Sequence, residues 1–280
     1  MKMRLFALAL AMVLVLAGCG GNTPNTPGGS SGSGAPQQAT LVVGMEANYA
    51  PFNWTQVEGG GSAVSLGGAG YADGYDVVMA QAIADGLGMK LEIKKIEWTG
   101  LEPALSSGEI DAIIAGMTDS PERRQGADFT KPYYESEMVC IVRAGDTLAS
   151  AFALADFSGK KVLGQLNTIY DEIIDQIPGV DHRTPMQSYP LMVVALQQGE
   201  ADALTAELPV AEGVVAANPD LAIVKFADGQ GFDADTTVSV AVRKGETDLL
   251  GQIQAVLDTI SGDTRNQWMR EAVERQPAGE

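Results

Sequence analysis

Leu105-Ser-Ser-Gly-Glu-Ile-Asp-Ala112 returns 91 positions later as Leu196-Gln-Gln-Gly-Glu-Ala-Asp-Ala203. In each copy an apolar-periodic run stops at a glycine, the residue that most easily takes the left-handed conformation ending a helix, and an Asp-Ala step opens a new apolar run. Each copy therefore reads as a helix-turn-strand link. Its repetition points to two similar α/β lobes in one chain, against the competing reading of chance recurrence between two common kinds of link.

Working outward, Leu41-Val-Val-Gly44 has the β-branched character of a strand. Asp76 to Leu87 is helical, with Val78, Met79, Ala82, Ile83 and Leu87 on one face and Gly88 at its end. A strand over Lys90 to Lys94, a short helix over Leu101 to Leu105 stopped at Gly108, and a strand Ala112-Ile-Ile-Ala115 follow. This alternation predicts α/β layers with a largely parallel sheet. The second half supplies a strand at Lys160 to Gly164, a helix from Thr168 to Ile177 and a helix opened by Pro190. Thr236 to Arg243 alternates as a strand, and amphipathic helices carry Leu250, Ile253, Val256, Leu257 and Ile260, then Trp268 and Met269. Interlobe crossings are placed near 134–138 and 233–238, giving a first lobe of 40–136 plus 237–280 and a second of 137–236. Ligands of open α/β sheets gather outside the carboxyl ends of strands, so Gly116-Met-Thr118 and Glu207, which follow the two echoes, should face a shared crevice.

The ends carry a different message. Lys2 and Arg4, an apolar run from Leu5 to Leu16, and Leu16-Ala-Gly-Cys19 read as a signal peptide over 1–18. The small residues before the cysteine resemble a lipobox, so Cys19 is expected to carry lipid and to anchor the chain outside the cytoplasm, at the cell membrane. Residues 19–39 are nearly all Gly, Asn, Thr, Pro, Ser and Gln, too apolar-poor to fold, and read as a tether. Removing 1–18 leaves 16 basic against 36 acidic residues, a net charge of −20. Such a surface excludes nucleic acid as a partner and leaves the lipid as the sole attachment to membrane. The only other cysteine, Cys140, lies in the apolar run Met138-Val-Cys-Ile-Val142 and reads as a buried thiol. His182 has no second histidine or cysteine beside it, so no metal is expected.

Ser120-Pro-Glu-Arg123 has the form of a helix start, with a serine cap and proline in the first turn. Arg123 beside backbone N–H groups and the Thr118 hydroxyl could hold a carboxylate, although a capped surface helix with a solvated arginine explains the segment equally. Gly59-Gly-Gly61 and Gly67-Gly-Ala-Gly70 lack the Lys-Ser/Thr of a phosphate cradle and read as a flexible loop.

Tyr49-Ala-Pro-Phe52, Gly74-Tyr-Asp76, Trp98-Thr-Gly-Leu101, Asp111-Ala-Ile-Ile-Ala-Gly-Met-Thr118, Pro121-Glu-Arg123 and Asp128-Phe-Thr-Lys-Pro-Tyr-Tyr134 occur in this order. Over about Leu41 to Pro277 the chain resembles the polar amino-acid-binding proteins of ABC importers, in particular the lysine/arginine/ornithine-, histidine- and glutamine-binding branch. The resemblance implies a two-lobed, type II periplasmic-binding-protein-like α/β fold with two crossover segments. It also implies a monomer without cofactor that hands a free amino acid to a permease. By that resemblance Arg123, Thr118 and the backbone of Gly116 hold the ligand carboxylate from the first lobe, and Thr168 with the backbone of Ile169 holds it from the second. The chain has Gln165-Leu-Asn-Thr168 where the family usually has a glycine-rich turn, and Asn167 is expected to supply the permissive backbone.

Glu207 stands where the family commonly places an aspartate for the α-ammonium. Tyr49, Phe52, Trp98 and Glu46 match pocket-lining positions, aromatic faces and a carboxylate that would favour a cationic or polar side chain such as that of arginine, lysine, histidine or glutamine. Read without the resemblance, Trp98 and Phe52 are equally core residues and Glu46 and Glu207 solvated acids. Two other functions share the same fold: a sensor lipoprotein that signals through a separate partner, and a dehydratase using Glu46 or Glu207 as general acid.

Overall fold

The computed structural model describes residues 38–68 and 70–277. The expected signal peptide, Cys19 and nearly all of the tether lie outside the described residues. The two echoed links fold alike. Gly108, after helix α2 (α1 being Tyr75–Leu87 and α2 Leu101–Ser107), has φ 80° and ψ 17°. Gly199, after the helix Tyr189–Gln198, has φ 79° and ψ 14°. Each glycine N–H closes the last helical turn, onto Ala104 and Leu105 in one case and Ala195 and Leu196 in the other. The aspartate three residues on does the same work twice: Asp111 Oδ2 accepts from the Val42 amide and Asp202 Oδ2 from the Lys161 amide. Each thereby ties the new strand to its parallel neighbour.

The first sheet has the order Lys90–Lys95, Thr40–Met45, Ala112–Ile113, Ala241–Arg243, Ala127–Phe129. The second runs Asp181–His182, Lys161–Leu163, Ala203–Glu207, Met138–Arg143, Leu221–Val224. In both, the first two joints are parallel and the last two antiparallel. The expected largely parallel sheet is therefore corrected to a mixed one. Ala241–Arg243 and Met138–Arg143 enter their sheets from the crossing segments rather than through helical crossovers, and only the crossover forces parallel pairing.

These two entering strands carry a second echo, Val142-Arg-Ala-Gly-Asp-Thr147 and Val242-Arg-Lys-Gly-Glu-Thr247, 100 positions apart. Arg143 Nη1 donates to the carbonyls of Leu196 and Ala201 at 2.7 and 2.6 Å. Arg243 Nη1 donates to Leu105 and Ile110 at 2.9 and 3.1 Å. An acid three residues later, Asp146 or Glu246, orients each guanidinium. One arginine thus clamps each helix-turn-strand link by its orphaned carbonyls.

Helix α1 buries Val77, Met79, Ala80, Ile83 and Ala84, whereas the expected Val78 and Ala82 are only half-buried. The apolar face is broader than the stripe read from the sequence because α1 lies against the sheet and also packs on the late helices Thr247–Leu257 and Gly262–Arg275. The remaining helices are α3 (Ile169–Glu172), α4 (Tyr189–Gln198) and α5 (Leu208–Ala217), and the two late ones are α6 and α7. The helix expected over Thr168 to Ile177 breaks after α3 into a 3-10 turn, Ile173–Gln176. The helix expected from Ser120 is also a single 3-10 turn, Arg123–Gln125, because the strand Ala127–Phe129 begins two residues after it. The Gly59 to Gly70 region, expected as a flexible loop, holds the strand Val64–Ser65 in a four-stranded antiparallel sheet with Asn48–Tyr49, Asn53–Gln56 and Tyr71–Asp73. Between the two large sheets the chain crosses at Tyr134–Glu135 and Thr237–Val238, which pair antiparallel. Cys140 is fully buried, as a strand residue should be. Among the described residues no helix is long and apolar enough to cross a membrane.

Candidate functional site

Strand ends of both sheets converge on one place. Thr40–Met45 delivers Glu46, and Ala112–Ile113 leads into Gly116 and Thr118. From the second sheet Lys161–Leu163 leads into Gln165 to Thr168, and Ala203–Glu207 ends in Glu207 itself. Among the described residues, four hydrogen bonds span the junction away from the crossing segments. Trp98 Nε1 and Arg123 Nη2 donate to the Asn167 carbonyl at 3.1 and 3.0 Å, Gln165 Nε2 donates to Glu46 Oε2 at 3.0 Å, and the Tyr49 hydroxyl donates to Glu207 Oε1.

The arginine side of the site is a cavity of about 320 Å³ lined by Trp98, Thr118, Arg123, Asn167 and Ile169. Arg123 is held at every face. Its Nη1 donates to the Thr118 carbonyl at 2.8 Å, its guanidinium lies 5.2 Å from the Trp98 ring centroid, and its Nε is 3.4 Å from Glu102. Ser120 Oγ accepts from the Arg123 amide at 3.2 Å, the bond expected of a capping serine, and so fixes the arginine's backbone although the turn it opens is short. Asn167 takes φ 59°, and the chain has a non-glycine residue here because asparagine tolerates this left-handed region better than most. Glu102, Glu122 and Glu172 also line the cavity, so the Arg123 cation sits among carboxylates. A planar guanidinium backed by an indole is pre-organised for bidentate grip on a carboxylate group.

The opposite side is a buried carboxyl in a cage of hydroxyls. Glu207 is 0% exposed. Its Oε1 accepts from the Tyr49 and Tyr170 hydroxyls and its Oε2 from Ser136 Oγ, the last two at 2.7 Å. Burial pushes its pKa up, and the three hydroxyl donors pull against that shift. Tyr49 is itself fixed, stacked on Phe52 with ring centroids 5.4 Å apart and tilted on Tyr189 at 5.2 Å. Phe52 is wholly buried behind it and meets Tyr75 and Tyr134 edge-on, a core position rather than a wall of the cavity.

Glu46 is the third feature. It is 3% exposed, and Oε1 is buried with no hydrogen-bond partner. Its pKa is pushed up to about 7, chiefly by burial and further by Glu97, against the Gln165 bond and Lys95. Asp76, in the first turn of α1, is likewise pushed up to about 7 by burial although Tyr133 and Asn53 donate to it.

Of the residues expected from sequence, Trp98, Thr118, Arg123 and Ile169 share the cavity. Tyr49, Phe52 and Glu207 form the neighbouring buried cluster, and Glu46 lies against Gln165. The Gly116 amide is engaged by the Tyr133 hydroxyl at 3.1 Å, and Thr168 Oγ1 donates to the Gln165 carbonyl at 2.7 Å. Sequence reasoning missed Glu102, Gln165, Tyr170 and Tyr189. Gln165 and Tyr170 flank the turn already singled out, so their neighbourhood was available. Tyr189, beside Pro190, offers no pattern separating it from an ordinary core aromatic.

The model of the bacterial extracellular solute-binding proteins, family 3, matches residues 41–271. L-cystine-binding protein TcyJ of Escherichia coli K12 is 34% identical over 229 residues, covering 80% of this chain and 77% of the relative. A probable histidine-binding protein of Campylobacter jejuni is 33% identical over 198 residues, covering 69% and 70%. Among solved structures, the amino acid ABC transporter substrate-binding protein AbpA from Streptococcus pneumoniae, bound to L-arginine, superposes with TM-score 0.73 at 26% identity, covering 84% of this chain and 95% of that one. An ancestral arginine-binding protein bound to glutamine gives TM-score 0.70 at 31% identity, covering 84% and 98%. These are binding and transport proteins, and the dehydratase alternative falls with them.

Proposed function

Because the chain belongs to the bacterial extracellular solute-binding proteins, family 3, we propose that it captures a free L-amino acid in the interlobe cleft and delivers it to the permease of an ABC importer. The observation that carries this reading is Arg123, pinned by Trp98 and by backbone carbonyls of both lobes inside the cavity. On binding, the ligand's carboxylate takes the guanidinium face now turned to the Asn167 carbonyl, helped by Thr118 and by the backbone at Thr168 and Ile169. Glu207 takes the α-ammonium, and the side chain lies toward Tyr49, Trp98 and Glu46. A buried carboxyl with a spare oxygen favours a ligand that brings a hydrogen-bond donor or a positive charge. Arginine, lysine, histidine and glutamine are therefore the expected class, and the arginine-, histidine- and glutamine-binding names of relatives support it. Cystine, named for another relative, carries at its far end both a second carboxylate, which Glu46 repels, and a second ammonium, which it attracts. A ligand bonded to both lobes favours the closed form by its differential affinity, and the closed form is what docks on the permease. In this reading Cys19 carries the lipid and 1–18 is removed, so that the lobes of 40–136 plus 237–280 and of 137–236 work outside the cytoplasm.

The test is a thermal-shift panel of the twenty amino acids, with the ligand-free protein as reference. A ligand that binds only the folded state raises the melting temperature, by more as its concentration exceeds its dissociation constant. A cationic or amide side chain should give the largest rise. A flat panel sinks the reading.

A further inference from the structure

Glu207 draws its three donors from three different segments. Tyr170 belongs to α3 of the second lobe, and Ser136 lies on the crossing segment. Tyr49 alone comes from the antiparallel sheet joined to the first lobe. Parting the lobes must therefore break the Tyr49 bond while the other two can persist. The tyrosine is also built to reach. Its ring is held between Phe52 and Tyr189, and a Cβ at Gly116 would stand 3.0 Å from its Cε1, so glycine at 116, with φ 61°, admits the ring at this distance.

An oxygen that already accepts two phenolic protons has little room for a third strong donor. Glu207 Oε2 accepts only the Ser136 hydroxyl, so the exchange is specific to Oε1: an amino acid's α-ammonium that takes Oε1 competes with the Tyr49 hydroxyl for its lone pairs. We propose that the Tyr49–Glu207 hydrogen bond is an internal latch that closes the cleft in the ligand's place, and that binding exchanges this phenol for the ligand's ammonium. The inference rests on the role of Glu207 given above. It adds that the latch sets selectivity at the ammonium end: a carboxylic acid without an α-amino group cannot displace Tyr49 and is refused even where its side chain fits. The empty closed form is populated, and the ligand's apparent affinity is lowered by the fraction of molecules so latched.

The experiment uses the full chain with one spin label on each lobe, at the exposed positions Glu109 and Glu200, and measures interlobe distance by pulsed dipolar spectroscopy. Without amino acid the parent is expected to show a short-distance population that Tyr49→Phe loses. Tyr170→Phe, which removes a bond within the second lobe, should retain it. Saturating arginine or glutamine should bring all three to the short distance, and Tyr49→Phe should bind the same amino acid roughly fivefold tighter or more, the weight of one net hydrogen bond. Identical ligand-free distances in the parent and Tyr49→Phe, or affinity unchanged or weaker in Tyr49→Phe, overturns the latch. If no amino acid binds any variant, the transport reading fails, while the ligand-free distances still decide whether the latch exists.

Discussion

Glu46 has one carboxylate oxygen on Gln165 and the other on nothing, inside a junction that excludes water. Its ionisation is therefore costly, and the pH dependence has a definite sign. A carboxyl whose folded pKa is about 7 against 4.5 stays protonated in the fold while the unfolded chain has already released its proton. Its stabilising contribution is whole below pH 4.5 and is lost as pH rises through about 7. Glu46→Gln should leave stability unchanged at pH 4 and raise it at pH 8 by on the order of 3 kcal/mol, read from urea unfolding at the two pH values. Asp76 keeps a similar slope in the variant. A cationic ligand should reverse the local balance by pairing with the ionised form: its affinity is expected to rise between pH 6 and 8, with proton release seen by calorimetry in two buffers, and Glu46→Gln should flatten both. At Arg123 the expectation is simpler. Arg123→Ala removes the guanidinium lining the cavity and should weaken amino-acid binding roughly 100-fold or more while secondary structure stays intact, because a charge-assisted bidentate contact is lost. Titration calorimetry with the best ligand of the panel decides it, and parental affinity in the variant disproves the assignment.

The unit that recurs at the next scale is the helix, glycine turn and strand with its arginine clamp. Gly108 and Gly199 sit at φ near 80°, where a Cβ is disfavoured even though no heavy atom crowds Gly199. Gly199→Ala should then cost about 1 kcal/mol from backbone strain alone, measured by urea unfolding, and a neutral result would mean the turn relaxes. Arg143 satisfies two carbonyls of its link and pairs with Asp146 and Asp202. Arg143→Ala strands those carbonyls and should cost about 2–3 kcal/mol, with Arg143→Lys recovering less than half because an ammonium cannot fork across both. The glycine half of this unit was legible because Leu-x-x-Gly-Glu-x-Asp-Ala is local. The arginine half was written just as plainly in Val-Arg-x-Gly-acid-Thr, yet its meaning depends on a partner more than 50 residues away in the chain. A repeated word shows that something recurs without showing what it touches. The short helix after Ser120 failed for a related reason: capping residues state how a helix could begin, and the nearby Ala127–Phe129 strand decides that it cannot continue.

At the scale of the whole molecule the decisive feature is the seam between the sheets. Its hydrogen bonds run through side chains or loop backbone, Trp98 and Arg123 to Asn167, Gln165 to Glu46, Tyr49 to Glu207, and among the described residues no strand of one large sheet pairs with a strand of the other. Such a seam can open at modest cost, since each bond is exchangeable with water, while each five-stranded sheet keeps its backbone ladder. A ligand that bridges it should protect the amides around Asn167 and Thr118 from hydrogen exchange and leave the sheet interiors unchanged. Uniform protection across both lobes would instead indicate general tightening of the fold.

The two-lobed plan and most of the alternation of helices and strands were legible in the sequence alone, because periodicity and glycine stops are properties of neighbours in the chain. Packing decided the rest: that Phe52 is core while Tyr49 reaches across, that Asn167 turns its carbonyl to Arg123, and that Glu207 is ringed by hydroxyls. Hydrogen-bond partners and the cost of ionising a carboxyl depend on which distant groups exclude water from it, and only the folded chain brings those groups together.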